Sequence, residues 1–144
     1  SAVSWAVSTY SSNATPFAKV SGFIQGSSSN AECWLISPPV DLSGSRLPYL
    51  TFQTAAKYAG PPLEVVVSSD YTGGPPSGAQ WQSLAGGYTL SPTGSGPGFV
   101  WTASGKCLLD GNKKAGLRIA FKYMSSSTDG ASTYELDDIR IQED

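Results

Sequence analysis

Leu117-Arg-Ile-Ala-Phe-Lys-Tyr123 sets Leu117, Ile119, Phe121 and Tyr123 at alternate positions, with Arg118 and Lys122 between them. A period of two belongs to a β-strand with one face in a core and the other in water, as in an antiparallel sheet. The same alternation recurs upstream. In the 47–58 stretch, Leu50, Phe52 and Thr54 oppose Tyr49, Thr51 and Gln53, and Gly60-Pro61-Pro62 then forces a turn. Leu63-Glu-Val-Val-Val-Ser-Ser69 follows at once, which predicts a hairpin-like pair with the strand before it. Further strands are read at Val3, Trp5 and Val7, at Phe17-Ala-Lys-Val-Ser-Gly-Phe-Ile24, at Cys33-Trp-Leu-Ile-Ser37, weakly at 81–84, and at Phe99-Val-Trp-Thr-Ala103. Pro38-Pro39 ends the third of these, because proline has no N–H for a ladder. Ser11-Ser-Asn-Ala-Thr-Pro16 is turn chemistry. Thr133-Tyr-Glu-Leu-Asp-Asp-Ile-Arg-Ile141 closes the chain after a polar loop. The total, about eight to ten strands with no helical periodicity, predicts an all-β, two-sheet β-sandwich or jelly roll.

Composition narrows the chemistry. The 144 residues suffice for one core, so 1–144 is read as a single domain. Only 14% are charged, with Lys+Arg 9 against Asp+Glu 11 and a net charge of -2. No dense basic run is present, so nucleic acid is an unsuitable partner. No apolar run reaches the length of about 18 residues that crosses a bilayer as a helix. Histidine is absent. That removes Ser-His-Asp and Cys-His nucleophilic chemistry and His-liganded zinc, leaving catalysis to carboxylate, Lys or Tyr groups.

The closing strand holds an anomaly. Tyr134 and Leu136 share one face by period, while Ile139 and Ile141 share the other with Glu135 and Asp137. A β-bulge at Asp137-Asp138 would restore a single apolar face. Alternatively an inward carboxylate, Asp137 or Glu135, is compensated by a cation, and oxygen-liganded Ca²⁺ suits a site without histidine. Glu32 is the other candidate ligand. Cys33 and Cys107 either form a disulfide, worth about 4 to 5 kcal/mol in the chain-entropy model, or remain buried thiols.

Trp5, Trp34, Trp81 and Trp101 all fall in strand-like segments and are read mainly as sheet packing. Aromatic rings also stack on pyranoses, and Tyr58 and Tyr88, beside Gly-rich turns, are the candidate ligand contacts. Glu64 and Glu135 are the acids available for glycoside hydrolysis, which needs two carboxyl groups across a cleft. A strand glutamate in water is the default, and the expectation is a non-enzyme.

Taken together, Trp5, Phe17-Ala-Lys-Val-Ser-Gly-Phe23, Asn30-Ala-Glu-Cys-Trp-Leu-Ile-Ser-Pro-Pro-Val-Asp-Leu-Ser43, Leu50-Thr-Phe52, Leu63-Glu-Val-Val-Val-Ser-Ser-Asp-Tyr-Thr-Gly73, Trp81, the 101–109 stretch, Ile119-Ala-Phe-Lys-Tyr123 and Tyr134-Glu-Leu-Asp-Asp-Ile-Arg-Ile141 resemble choice-of-anchor J or cleaved-adhesin-like domains. These are related to domains of unknown function in Bacteroidetes surface lipoproteins. The resemblance implies a galactose-binding-like or MAM-like jelly roll, often with structural Ca²⁺, displayed at the bacterial outer surface and binding a glycan or a host matrix protein. Family members commonly carry an acid where this chain has Cys33, which leaves Glu32, Asp137 and Asp138 as the metal ligands carried over. A monomeric, mature domain excised from a longer lipoprotein is expected. The alternatives are a structural spacer and a carbohydrate-active enzyme with paired carboxylates.

Overall fold

The computed structural model describes residues 3–10, 13–94 and 96–144. Its strands are β1 (Ala6–Tyr10), β2 (Asn13–Ser21), β3 (Phe23–Ile24), β4 (Ser27–Ser28), β5 (Ala31–Ile36), β6 (Pro48–Lys57), β7 (Glu64–Ser68), β8 (Gln82–Ser83), β9 (Thr102–Ala103), β10 (Cys107–Leu108), β11 (Arg118–Ser125) and β12 (Thr133–Glu143). Of the turn expected over 11–16, the first two residues lie outside the described residues, and 13–16 are not a turn but the start of β2.

The strands form a jelly-roll β-sandwich. One sheet runs β1-β2-β12-β6-β10, with β9 also paired to β6; the facing sheet runs β5-β11-β7-β8, and β3 and β4 make a small hairpin. The alternation that predicts the fold decides which side chains meet. Leu50 and Phe52 from β6 and Tyr134 and Leu136 from β12 face Val65 and Val67 of β7 and Ile119, Phe121 and Tyr123 of β11 in one cluster. Phe52 and Phe121 meet edge to face at 5.2 Å across the two layers. Burying each such side chain stabilises the fold by roughly 1.5–3 kcal/mol.

The expected hairpin of β6 and β7 does not form: β6 belongs to the first sheet and β7 to the second. The intervening corner explains why. Tyr58 adopts a left-handed φ of 70°, Gly60 lies so close to Ser132 that an added Cβ would come within 2.6 Å of the Ser132 amide, and the two prolines that follow offer no N–H for pairing. The chain is steered across the sandwich instead of back along its own sheet.

The parity switch on the closing strand is a β-bulge. Asp137 pairs with Gln53 but Arg140 pairs with Thr51, so β12 carries one extra residue there, and Asp138 takes a left-handed φ of 52°. Beyond the bulge Ile141 comes opposite Leu50 and packs against the core. Cys33 and Cys107 are both buried, free thiols, and burial pushes both pKa values up.

Candidate functional site

On β11 the residues between the core positions, Arg118, Ala120 and Lys122, point away from the core, and the ladders set the outward residues of β5 and β7 beside them. Lys122 pairs with Trp34 and Glu64, and Ala120 pairs with Ile36 and Val66. Ala120 and Val66 therefore face outward, yet both are buried. Small or β-branched residues here make a low floor on which large rings can lie.

Three rings lie on this face. Trp34 stands 5.0 Å from Trp81, and Trp81 stands 5.5 Å from Tyr71, both pairs tilted by between 46° and 49°. Each polar tip is tied back to the protein. The Trp34 indole donates to Glu32 Oε2 at 2.9 Å, the Trp81 indole to the Pro76 carbonyl at 3.0 Å and the Tyr71 hydroxyl to the Gly74 carbonyl at 2.7 Å. With the tips engaged, the rings stay half-exposed through their apolar surface, part of which two cations share. Lys122 lies over Trp34 at 5.3 Å and Arg118 over Tyr71 at 5.4 Å, contacts worth about 0.5–1 kcal/mol at exposed sites.

The segment carrying Trp81 is pinned by Asp70. Its carboxylate accepts from the Ser68 hydroxyl at 2.7 Å and from the Gln80 amide at 3.0 Å, and these bonds hold its pKa below the ordinary aspartate value. Beside Trp81 a depression of about 280 Å³ is lined by Asp70, Gln80, Gln82 and Asn112. A strip of ring faces next to amide and carboxylate groups can take a ligand with apolar C–H faces and many hydroxyls.

The sandwich is shared with known binding domains. It is similar to a family 30 carbohydrate-binding module of a cellulosomal cellulase of Clostridium thermocellum, with a TM-score of 0.55 at 17% identity over 98% of this chain and 83% of that one. It is also similar to the K1 cleaved adhesin domain of Lys-gingipain from Porphyromonas gingivalis, with a TM-score of 0.56 at 18% identity over 99% of this chain and 85% of that one. No protein-family model and no curated protein matches the chain.

The residues singled out from the sequence fall in several places. Tyr58 is 51% exposed and lines a separate cleft with Phe23 and Thr133. Tyr88 packs inward, its ring 5.9 Å from Phe52 and its hydroxyl accepting from the Val65 amide at 3.2 Å; burial raises its pKa. Glu32 lies on β5 of one sheet, whereas Asp137 and Asp138 lie on β12 of the other. The structure does not bring these three acids together, and no group of three metal-ligating side chains occurs among the described residues. Glu64 and Glu135 are likewise on different sheets. Glu135 is buried on the outer face of the first sheet, with Lys19 Nζ at 4.0 Å. Phe17 and Trp101 meet at 5.8 Å on that face.

Trp34, Tyr71 and Trp81 make a candidate site that sequence reasoning missed. Trp34 sits in a run where Cys33, Trp34, Leu35 and Ile36 are all apolar, so period alone does not say which pair faces out. The signal that would find it is Lys122, an outward residue of β11, coming opposite Trp34.

Proposed function

We propose that this domain is a non-catalytic binding module that holds a glycan on the platform of Trp34, Tyr71 and Trp81. The observation that carries the reading is the contiguity of three outward rings whose polar tips are all occupied by the protein itself. Such a surface offers ring faces to the apolar side of pyranoses, and Gln80, Gln82 and Asn112 stand at its edge for the hydroxyls. The likeness to a carbohydrate-binding module and an adhesin domain supports this reading, as does the separation of Glu64 from Glu135. An extracellular or cell-surface setting belongs to the same proposal.

Titration with cellohexaose, xylohexaose and laminarihexaose, followed by tryptophan fluorescence and calorimetry, tests it. At least one should bind, and Trp34→Ala should weaken that binding by roughly 30-fold, because truncating an aromatic anchor costs about 2 kcal/mol or more. Trp101→Ala, on the other sheet, should leave the affinity intact. If Trp34→Ala binds as the native protein does, or if none of the three sugars binds at millimolar concentration, the platform is not a glycan site.

A further inference from the structure

Over β6 and β12, on the outer face of the first sheet, lies a groove of about 470 Å³, within the size range of small-ligand sites. Its floor is built by parity. Tyr49, Thr51 and Gln53 are the outward residues of β6, and the ladder sets Gln142 opposite Tyr49 and Arg140 opposite Thr51. The bulge at Asp138 is what brings Arg140 and Gln142 to this face, because without the extra residue Ile139 and Ile141 would stand there instead. A fold that needed only a closed core could leave this face featureless. Here the bulge serves both sides: it returns Ile141 to the core and makes the groove polar.

The groove holds donors and acceptors without internal partners. No side-chain hydrogen bond or ion pair joins Thr51, Gln53, Arg140 or Gln142 to another of the described residues. Its charges cancel. Lys106, on the wall, binds both carboxylate oxygens of Asp144 at 2.8 Å and lies 4.6 Å over the Tyr49 ring, while Arg140 and Asp138 line the same space with opposite sign. Amide, guanidinium, carboxylate and hydroxyl groups around a tyrosine match a ligand whose hydroxyls each donate and accept. An anion would meet no net positive field.

We propose that this groove is a second saccharide site, taking a neutral oligosaccharide independently of the aromatic platform on the opposite sheet. Amide-resolved NMR titration of the whole domain with cellohexaose, xylohexaose and laminarihexaose tests it, with the indole N–H signals of Trp34 and Trp81 reporting the platform separately. The expected result is that at least one sugar shifts the Thr51, Gln53 and Arg140 signals, and that Arg140→Ala weakens this by at least tenfold while the indole response persists. Gln53→Ala, whose side chain is exposed to the groove, should act alike and guards against misfolding of one variant. In Trp34→Ala protein the groove response should remain, so loss of the platform and loss of the groove are distinguishable. The proposal is overturned if none of the three sugars moves the groove signals, if Arg140→Ala and Gln53→Ala leave them unchanged, or if tetragalacturonate binds there more tightly than every neutral sugar.

Discussion

Replacing Tyr123 by Phe removes one oxygen atom from the core and nothing else. The Tyr123 hydroxyl accepts from the Gly22 amide at 2.8 Å and donates to the Ser132 carbonyl at 2.6 Å. Gly22 and Ser132 are both buried, so the substitution leaves one donor and one acceptor stranded. Each buried backbone group without a partner costs about 1–3 kcal/mol, which makes roughly 2–6 kcal/mol for the pair. For a chain of this length, 1 kcal/mol lowers Tm by about 3 °C, so a fall of roughly 6–18 °C is expected. The hydroxyl joins the layers, since Gly22 follows β2 and Ser132 precedes β12 in one sheet while Tyr123 belongs to the other. Thermal unfolding by calorimetry gives the Tm, and hydrogen exchange at the Gly22 amide should quicken in the variant. Oligosaccharide affinity should not change, because Tyr123 faces the core and not the platform. A Tm within about 2 °C of the native value, with unchanged exchange at Gly22, would refute the reasoning.

Two pH dependences follow from the placement of titratable groups. Asp70 has a lowered pKa through its bonds from Ser68 and Gln80, so its contribution is complete above the ordinary aspartate value of 3.8 and is lost as pH falls through its folded pKa. Trp81 fluorescence should hold steady from neutral pH to about pH 5 and change in stronger acid, and Asp70→Asn should remove that acid limb while showing the changed signal at neutral pH. At the other end, burial raises the pKa values of Cys33 and Cys107 from 9.0 and of Tyr88, Tyr123 and Tyr134 from 10.0. Their stabilisation is complete below those values and is lost above them, as the unfolded chain ionises first. Denaturant midpoints should be level up to about pH 8.5 and then fall, with the steeper loss beyond about pH 10 accompanied by a rise in tyrosinate absorbance; a flat midpoint at pH 11 would count against burial of these groups.

The layers were legible from single strands. Leu117, Ile119, Phe121 and Tyr123 all face the core, as do Leu50 and Phe52, because alternation is a direct consequence of the pleat. The bulge at Asp138 was legible too, since a switch of parity in one strand has few other remedies. The sheet to which each strand belongs was not. A short turn after β6 suggested a hairpin, and the crossing appears only in the sheet order, with Gly60 packed against Ser132 at the corner. The platform was hidden for a related reason: apolar residues are not confined to interiors, so Trp34 could be read as packing until the ladder with Lys122 showed which face it occupies. Tyr71 and Trp81 belong to irregular segments whose approach no periodicity encodes. Asp137 and Asp138 lie on a different sheet from Glu32, and the sequence carries no hint of which strands share a sheet.

The position of β12 bears on how the chain reaches this structure. It hydrogen-bonds to β2 on one side and β6 on the other, so the latest strand in the sequence occupies the middle of its sheet. Until it arrives, β2 and β6 are two unsealed edges, and the part of the core that Tyr134 and Leu136 fill stands open. Contacts this distant along the chain make folding slow. On the ribosome the earlier strands must wait for the end of the domain, exposed to pairing with strands of other chains, and removing β12 would leave a sheet in two pieces instead of a shorter sheet.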